Sequence, residues 1–480
     1  MRSAMARLVG LAASALALAG CSTLIPPYER PAAPVPSSYA PEMMPAAASG
    51  SEAAADVEWQ RFYADPRLTR LIVLALANNR DLRVAVLNIE QTRALYQVRR
   101  ADELPSIGAG ATVSRQPAGT KVATSYAVGF AVTGYELDLF GRVHDLSAAA
   151  LAQYFATAES RKAVQISLIS SVATAYLSVL ADDELLQVTR QTLATREDGS
   201  RLTKLRFDNG ASSELDYAQA ESLLEGARVA LAQALRQKAL DENALQLLVG
   251  QAPPADLPAP LPLDGTQIAT DVPAGLPSDL LTRRPDVRAS ERQLLAANAN
   301  IGAARAAFFP RISLTANLGS ASSELSGLFK NGSFAFTGTA QLLQPIFDAG
   351  RNRANLEVAQ VNRDIAVAQY EKSIQTAFRE VSDALAGRAT LGEQLRAQAA
   401  QTHALAITYR LADLRYRAGA ASYLDTLDAQ RSLFAAQLAL VQTQALQLQN
   451  GVALYRALGG GWNDSAEARA TSNPTLSPPR

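Results

Sequence analysis

Cysteine occurs once in 480 residues, at Cys21, so no disulfide can form within the chain. Histidine occurs twice, at His144 and His403, both in long helix-like runs with no partner at metal-ligand spacing. No glycine-rich phosphate loop follows a strand, and no serine sits in a nucleophile elbow. The expectation is therefore no catalytic residue, no bound metal and no cofactor. Net charge is also absent, with 45 basic residues against 45 acidic ones. That balance offers no basic field for nucleic acid and no polybasic tract for a membrane surface. After Gly20 there is no long uninterrupted apolar stretch, which excludes a helical membrane span.

What is present begins with the N-terminus. Arg2 and Arg7 precede an apolar run from Leu8 to Ala19. It has the length of a signal h-region and falls short of the roughly 20 residues that cross a bilayer. The run ends in Leu18, Ala19, Gly20 and Cys21. This ending resembles the lipobox of bacterial lipoproteins, which implies a covalent lipid on Cys21 and a new N-terminus there. Ser22 follows, not Asp; by resemblance to lipoprotein sorting, that favours the outer membrane.

The chain is internally duplicated. NRDLR at 79–83 recurs as RPDVR at 284–288, and LPSI at 104–107 recurs as FPRI at 309–312, both 205 positions on. FGR at 140–142 matches AGR at 349–351, and LRFDNG at 205–210 matches LRYRAG at 414–419, now 209 positions on. The change of offset falls between Ile107 and Gly141, where a surface loop should absorb it. A repeat of this length points to two structural halves, not a short-period solenoid.

Each half reads as a helix, a strand pair, one very long helix, a sharp turn and a returning helix. Ile312, Leu314, Ala316 and Leu318 alternate with Ser313, Thr315 and Asn317. Tyr126, Val128, Phe130 and Val132 alternate with Ala127, Gly129 and Ala131, and Ile107 and Phe334 open two further runs. Such dyads suit a barrel wall between lipid and lumen, and equally a half-buried hairpin in a soluble sandwich. The helices favour the wall. No proline occurs from Arg142 to Lys204 or from Arg351 to Leu414. The returning helices carry apolar stripes: Ala220, Leu224, Ala227, Leu231 and Ala234, then Ala429, Leu433, Ala436 and Leu440, with a second seam along Val441, Ala445, Leu448, Val452 and Tyr455. Two seams on one helix fit the wall of a helical cylinder, or a pair of soluble bundles. Four strands cannot close a barrel alone, because small barrels need about eight. Open edges are not tolerated in hydrocarbon, so several chains must pool their strands, two or three.

The boundaries follow. Residues 1–20 are the signal, 21–60 an extended anchored segment, 61–250 the first repeat and 251–277 a proline-rich linker. Residues 278–460 are the second repeat, and 461–480 a disordered tail.

Several motifs carry a family resemblance: YELDLFGR at 135–142, QPIFDAGR at 344–351, RYRAG at 415–419, LDTLDAQR at 424–431 and PPYERPAAP at 26–34. With them the chain resembles the outer-membrane factors of tripartite efflux pumps, the TolC and OprM type, and among them the NodT-type lipoproteins. The resemblance implies a mainly α fold with a small β part. Three chains of four strands would share a twelve-stranded outer-membrane β-barrel, above a long periplasmic α-helical barrel and an equatorial collar. It also implies a homotrimer, a periplasmic adaptor of the membrane fusion type, an inner-membrane RND transporter and contact with outer-membrane lipid. Gly141 with Arg142, and Gly350 with Arg351, would mark the strand-to-helix junctions. Gly210 and Gly419 would turn the long helices at the periplasmic mouth. Asp425 and Asp428, three apart on one helix face, would ring the constriction beside Leu424. Tyr416 and Arg417 would latch the tip against Asp216. Position 421 is Ala, where the TolC branch carries Arg. Alternatives are a duct for type I protein secretion and a lipid-anchored coiled-coil spacer, which would not need the strands.

Overall fold

The computed structural model describes residues 23–39, 57–119, 121–265, 267–268 and 279–462. Cys21, the signal and the tail beyond Trp462 lie outside the described residues. The helices are α1 (Trp59–Phe62), α2 (Pro66–Asn78), α3 (Arg80–Ala101), α4 (Arg142–Asp208), α5 (Glu214–Val249), α6 (Leu280–Arg283), α7 (Pro285–Ala306), α8 (Arg351–Arg417) and α9 (Tyr423–Ala457). The strands are β1 (Ile107–Ala118), β2 (Lys121–Leu137), β3 (Arg311–Ser322) and β4 (Phe334–Leu343). Both repeats thus give the expected order of elements. The long helices α4 and α8 have 67 residues each, about 100 Å of rod at 1.5 Å per residue.

The compact units of the folded chain cut across the two repeats. Among the described residues, one unit draws on 23–33, 87–159 and 288–372, and the other on 34–39, 57–86, 160–268, 279–287 and 373–462. The reason is the sheet, which runs β1-β2-β3-β4. Its central pairing, β2 with β3, joins the two repeats. Neither repeat can then close a core by itself.

In the first unit all three strand pairs are antiparallel. The register puts Ile107, Val113, Tyr126, Val128, Phe130, Val132, Leu314, Leu318, Phe334, Phe336 and Leu342 on one face. Thr112, Ser114, Ser125, Ser313, Thr315, Asn317, Thr337, Thr339 and Gln341 share the other. Between Val132 and Tyr135 the pairing shifts by one residue. Gly134, at φ +66, occupies this bulge. Without the extra residue, Tyr135 and Leu137 would turn onto the polar face and Glu136 onto the apolar one. Gly129 and Gly319 are cross-strand partners in the small-residue face. A Cβ at Gly129 would stand 2.3 Å from the Leu318 carbonyl oxygen, so this backbone arrangement leaves no room for a side chain at either Gly. The expected loop between the strands of a repeat also shows. β1 ends at Ala118 and β2 starts at Lys121, whereas β3 and β4 are separated by residues 323–333 with a short 3-10 turn. β2 is seven residues longer than β4, which offsets most of that difference, and the segment from β4 to Gly350 is three residues longer than that from β2 to Gly141.

Beside the sheet, residues 23–30 run along α7. Arg305 donates to the Leu24 carbonyl at 3.2 Å and Asn298 to the Pro26 carbonyl at 2.8 Å. Arg30 forms a bidentate pair with Glu291, at 2.7 and 3.0 Å. Gly302 allows this approach, since a Cβ there would meet the Ile25 nitrogen at 2.7 Å.

The second unit has an aromatic centre, where Phe62 stacks on Tyr455 with ring centres 4.0 Å apart and Tyr63 meets Phe62 edge-on. Asp65 starts α2, accepting from the backbone of Arg67 and Leu68, and its other oxygen accepts from Tyr176 at 2.7 Å. An 18-residue window of α4 is apolar enough to cross a membrane, which corrects the expectation that no such stretch follows Gly20. Half of that window is buried within the chain. α4 buries Ile169, Val172, Tyr176 and Leu177 almost completely, so its apolarity serves packing.

Candidate functional site

Two regions carry the function, the sheet in one unit and the hairpin tips in the other. The sheet has an apolar face whose largest side chains are exposed: Phe334, Phe336, Phe130, Val122 and Leu342. Soluble monomers rarely leave such a row in water, and a row of this kind marks a protein or membrane contact. The strands β1 and β4 each pair on one side only, so the sheet keeps two open edges. An apolar face, a polar face and open edges fit a barrel wall that other chains complete.

At the base of β2 the bulge has turned Glu136 away from the apolar face. Its carboxylate receives Arg142 Nε at 2.8 Å, Arg142 Nη2 at 2.7 Å and Arg311 Nε at 2.5 Å. Gly141, at φ +74, turns the chain into α4, and Asp138 accepts the His144 N–H at 2.7 Å. The second junction is built differently. Gly350 is again left-handed at φ +86, preceded by Ala349 at φ +55. Asp348 accepts from the backbone of Gly350 and Asn352. Arg351 is exposed, because Pro345 stands where the first repeat has Glu136. The repeated Gly-Arg pair is thus an ion-pair clamp at Arg142 and only a turn at Arg351. Glu136 was missed in the sequence, although its replacement by Pro345 was visible there.

At the tips, the two hairpins turn alike. Gly210 and Gly419 have φ of +72 and +71. Ala211 donates to the Arg206 carbonyl at 2.7 Å and Ala420 to the Arg415 carbonyl at 2.8 Å, which is the Schellman pattern expected at such glycines. Ser213 caps α5 and Ser422 caps α9.

Leu424, Asp425 and Asp428 lie together on the exposed side of α9, while Thr426, Leu427 and Ala429 face inward. Asp428 is not a free charge: Arg431, one turn on, sits 2.9 Å from it. The sequence placed both carboxylates on this face, and the pairing of one of them with Arg431 was not read from it.

The expected link from Tyr416 and Arg417 to Asp216 is not formed. Asp216 is engaged in the capping box of its own helix, accepting from Ser213 Oγ at 2.8 Å, and this bond holds its carboxyl below the ordinary value. Arg417 pairs with Asp413 on its own helix at 2.8 Å. Local partners three or four residues away are reached at less entropic cost than a distant hairpin. Of these three residues Tyr416 reaches the other hairpin, where Arg206 Nη1 donates to its hydroxyl at 2.6 Å. Tyr423 packs against Tyr416 with ring centres 4.9 Å apart.

These features are those of a channel wall and of two helical hairpins turned at glycines, and the comparisons decide the family. The model of the outer membrane efflux protein family matches residues 71–251 and 276–460. The chain belongs to this family. It is 48% identical over 465 residues to the probable efflux pump outer membrane protein TtgC of Pseudomonas putida, covering 95% of this chain and 96% of that one. To the outer membrane protein OprJ of Pseudomonas aeruginosa it is 46% identical, covering 94% and 95%. Among solved structures, the open state of the MtrE outer membrane channel of Neisseria gonorrhoeae superposes with a TM-score of 0.84 at 41% identity, covering 92% of this chain and 98% of that one. The CmeC outer membrane channel of Campylobacter jejuni gives 0.84 at 26% identity, covering 95% and 99%. The protein is an outer-membrane efflux channel with a TolC-like fold and a large periplasmic part. Among the described residues no group of His, Cys, Asp and Glu could hold a metal ion.

Proposed function

We propose that this efflux channel is the homotrimeric exit duct of a tripartite RND-type pump. It is tethered by lipid on Cys21, passively conducts small molecules from periplasm to exterior, and closes at its helical tips through Leu424, Asp425 and Asp428. The observation that carries the reading is the sheet: four strands, one apolar face and two open edges. Such a sheet is stable in hydrocarbon only when closed by further copies, and three chains give the twelve strands that the family resemblance implies. A periplasmic adaptor and an inner-membrane transporter would complete the pump and supply the energy; the duct itself performs no chemistry.

Two observations support the finer points. Relatives at 48% identity are named for efflux of antibiotics and of toluene, which favours small organic cargo over secreted proteins. Thr23, two residues beyond Cys21, donates to Asp145 at 2.6 Å and lies against Gly141. A lipid on Cys21 would therefore leave the chain close to the strand-to-helix junction, where a bilayer surface would lie.

The test is purification in mild detergent followed by native mass spectrometry and planar-bilayer recording. A trimer carrying one lipid set per chain, with ohmic channels, is the expected result. A monomer, or a trimer without conductance, would remove the duct reading. Cys21→Ser should abolish the lipid mass without abolishing the channel.

A further inference from the structure

Between the first hairpin, α4 with α5, and the second, α8 with α9, lies a cavity of about 360 Å³. It holds a buried cation. Arg196 on α4 is only 6% exposed. Its Nη1 donates to the Leu223 carbonyl at 2.9 Å, and its guanidinium carbon lies 5.1 Å from the centre of the Phe434 ring. Its Nε has no acceptor. Burial lowers its pKa. A guanidinium taken out of water without a counter-ion is costly.

The surrounding groups leave that charge unmatched. Two carboxylates line the cavity, Asp198 and Asp413. Each is already held on its own helix, Asp198 by Arg201 at 2.7 Å and Asp413 by Arg417 at 2.8 Å. On α9 the Thr426 hydroxyl is buried and also lacks a partner. Tyr409, Tyr416 and Tyr423 supply ring faces and phenols to the same lining. Duplication does not require the charge, since the position 209 residues on is Leu405.

We propose that this cavity binds a small aromatic carboxylate, with its anionic group on Arg196 and Thr426 and its ring among the three tyrosines. Arg196 satisfies the anion in a dry setting where charge-assisted hydrogen bonds are strong, and the aromatic lining selects a planar apolar body. The site lies within one chain, so it needs neither the sheet nor a second copy, and its failure would leave the duct reading intact.

The test is calorimetric titration of the detergent-solubilised full-length channel with sodium benzoate, and with benzamide as its neutral counterpart. Saturable binding of benzoate, one per chain, and none of benzamide is expected. Arg196→Leu, which installs the residue of the second repeat, should weaken benzoate by about 10- to 100-fold. Thr426→Val, which keeps the charge and the shape, should weaken it by about three- to tenfold. Circular dichroism and the melting temperature establish that both variants fold. In crystals, 4-bromobenzoate should place its bromine peak inside the cavity. Equal binding of benzamide, undiminished binding by folded Arg196→Leu, no binding by the wild type, or a bromine peak elsewhere would each overturn the proposal.

Discussion

Arg206 of the first hairpin donates to the Tyr416 hydroxyl of the second at 2.6 Å, with its guanidinium carbon 5.1 Å from the ring centre. In the duplication Tyr416 corresponds to Phe207, so the link depends on a hydroxyl that one copy has and the other lacks. It is one partly wet contact among several between the two hairpins, which in the proposed gate would separate as the mouth widens.

Tyr416→Phe keeps the ring and removes that bond. A hydrogen bond to a charged donor in such a setting is worth about 1 kcal/mol, or about a fivefold shift in a closed-to-open equilibrium. Open probability in planar bilayers should rise by that order. An unchanged open probability would exclude the link from the gate.

Asp425 and Asp428 should not be equivalent. Asp428 is balanced by Arg431 at 2.9 Å, whereas Asp425 forms no ion pair among the described residues. Both carboxylates would favour cations at a constriction. Asp425→Ala should therefore reduce cation selectivity more than Asp428→Ala does, and the double variant should also raise conductance. Arg431→Ala should increase cation selectivity. The measurement is the reversal potential in a KCl gradient, and equal effects of the two single substitutions would contradict the asymmetry.

The wall was legible in the sequence and the connections were not. Period-two alternation at 126–132 and 312–318 identified strands because every second residue in a strand meets the same medium. The proline-free runs after Arg142 and Arg351 identified rods for the same local reason. The pairing of β2 with β3, which redraws the compact units across both repeats, involves residues about 190 positions apart and leaves no local trace. At the tip, the difference between repeats at Phe207 and Tyr416 was visible, and the Tyr416 hydroxyl is where Arg206 reaches across. The assignment of Asp216 as partner failed because Ser213, three residues away, competes for the same carboxylate. Arg196 gave no signal, since an arginine in an amphipathic helix reads as surface.

Asp182 on α4 gives a pH dependence. It is 7% exposed, and its Oδ2 has no donor. Burial raises its pKa to about 7, helped by the facing carboxyl of Asp241 on α5 and by the charge of Asp183, while Lys238 acts in the opposite sense. Lys238 is itself bonded to Asp183 and lies near Glu242. The missing partner is thus a proton. The folded state holds that proton over a pH range in which the unfolded chain has released it, from the ordinary aspartate value up to about 7. The contribution is fully present below that range and is lost as pH rises through it. The melting temperature should fall between pH 5 and pH 8 in the wild type. Asp182→Asn, which carries its own donor for Asp241, should melt higher than the wild type at pH 8 and show less pH dependence. A wild-type curve as flat as that of the variant would refute the shared proton.

The last prediction separates the two Gly-Arg junctions. Glu136 has a side chain 10% exposed and serves both Arg142 and Arg311. Glu136→Ala would leave two guanidiniums without the carboxylate they share, with Asp138 and Asp102 acting on Arg142 only through space. Arg311, at 57% exposure, can turn to water, but Arg142, at 31%, is less free to do so. The loss should therefore lie between that of an exposed pair and that of a fully buried one, about 2 kcal/mol. It should appear as a lower temperature for heat-induced dissociation of the trimer on unboiled gels. Glu136→Asp, too short to span both guanidiniums, should recover only part of it. Arg142→Ala should resemble Glu136→Ala, whereas Arg351→Ala should leave the dissociation temperature unchanged, because Pro345 offers it no carboxylate. Equal sensitivity at Arg142 and Arg351 would mean that the repeated arginine acts through the turn it follows and not through Glu136.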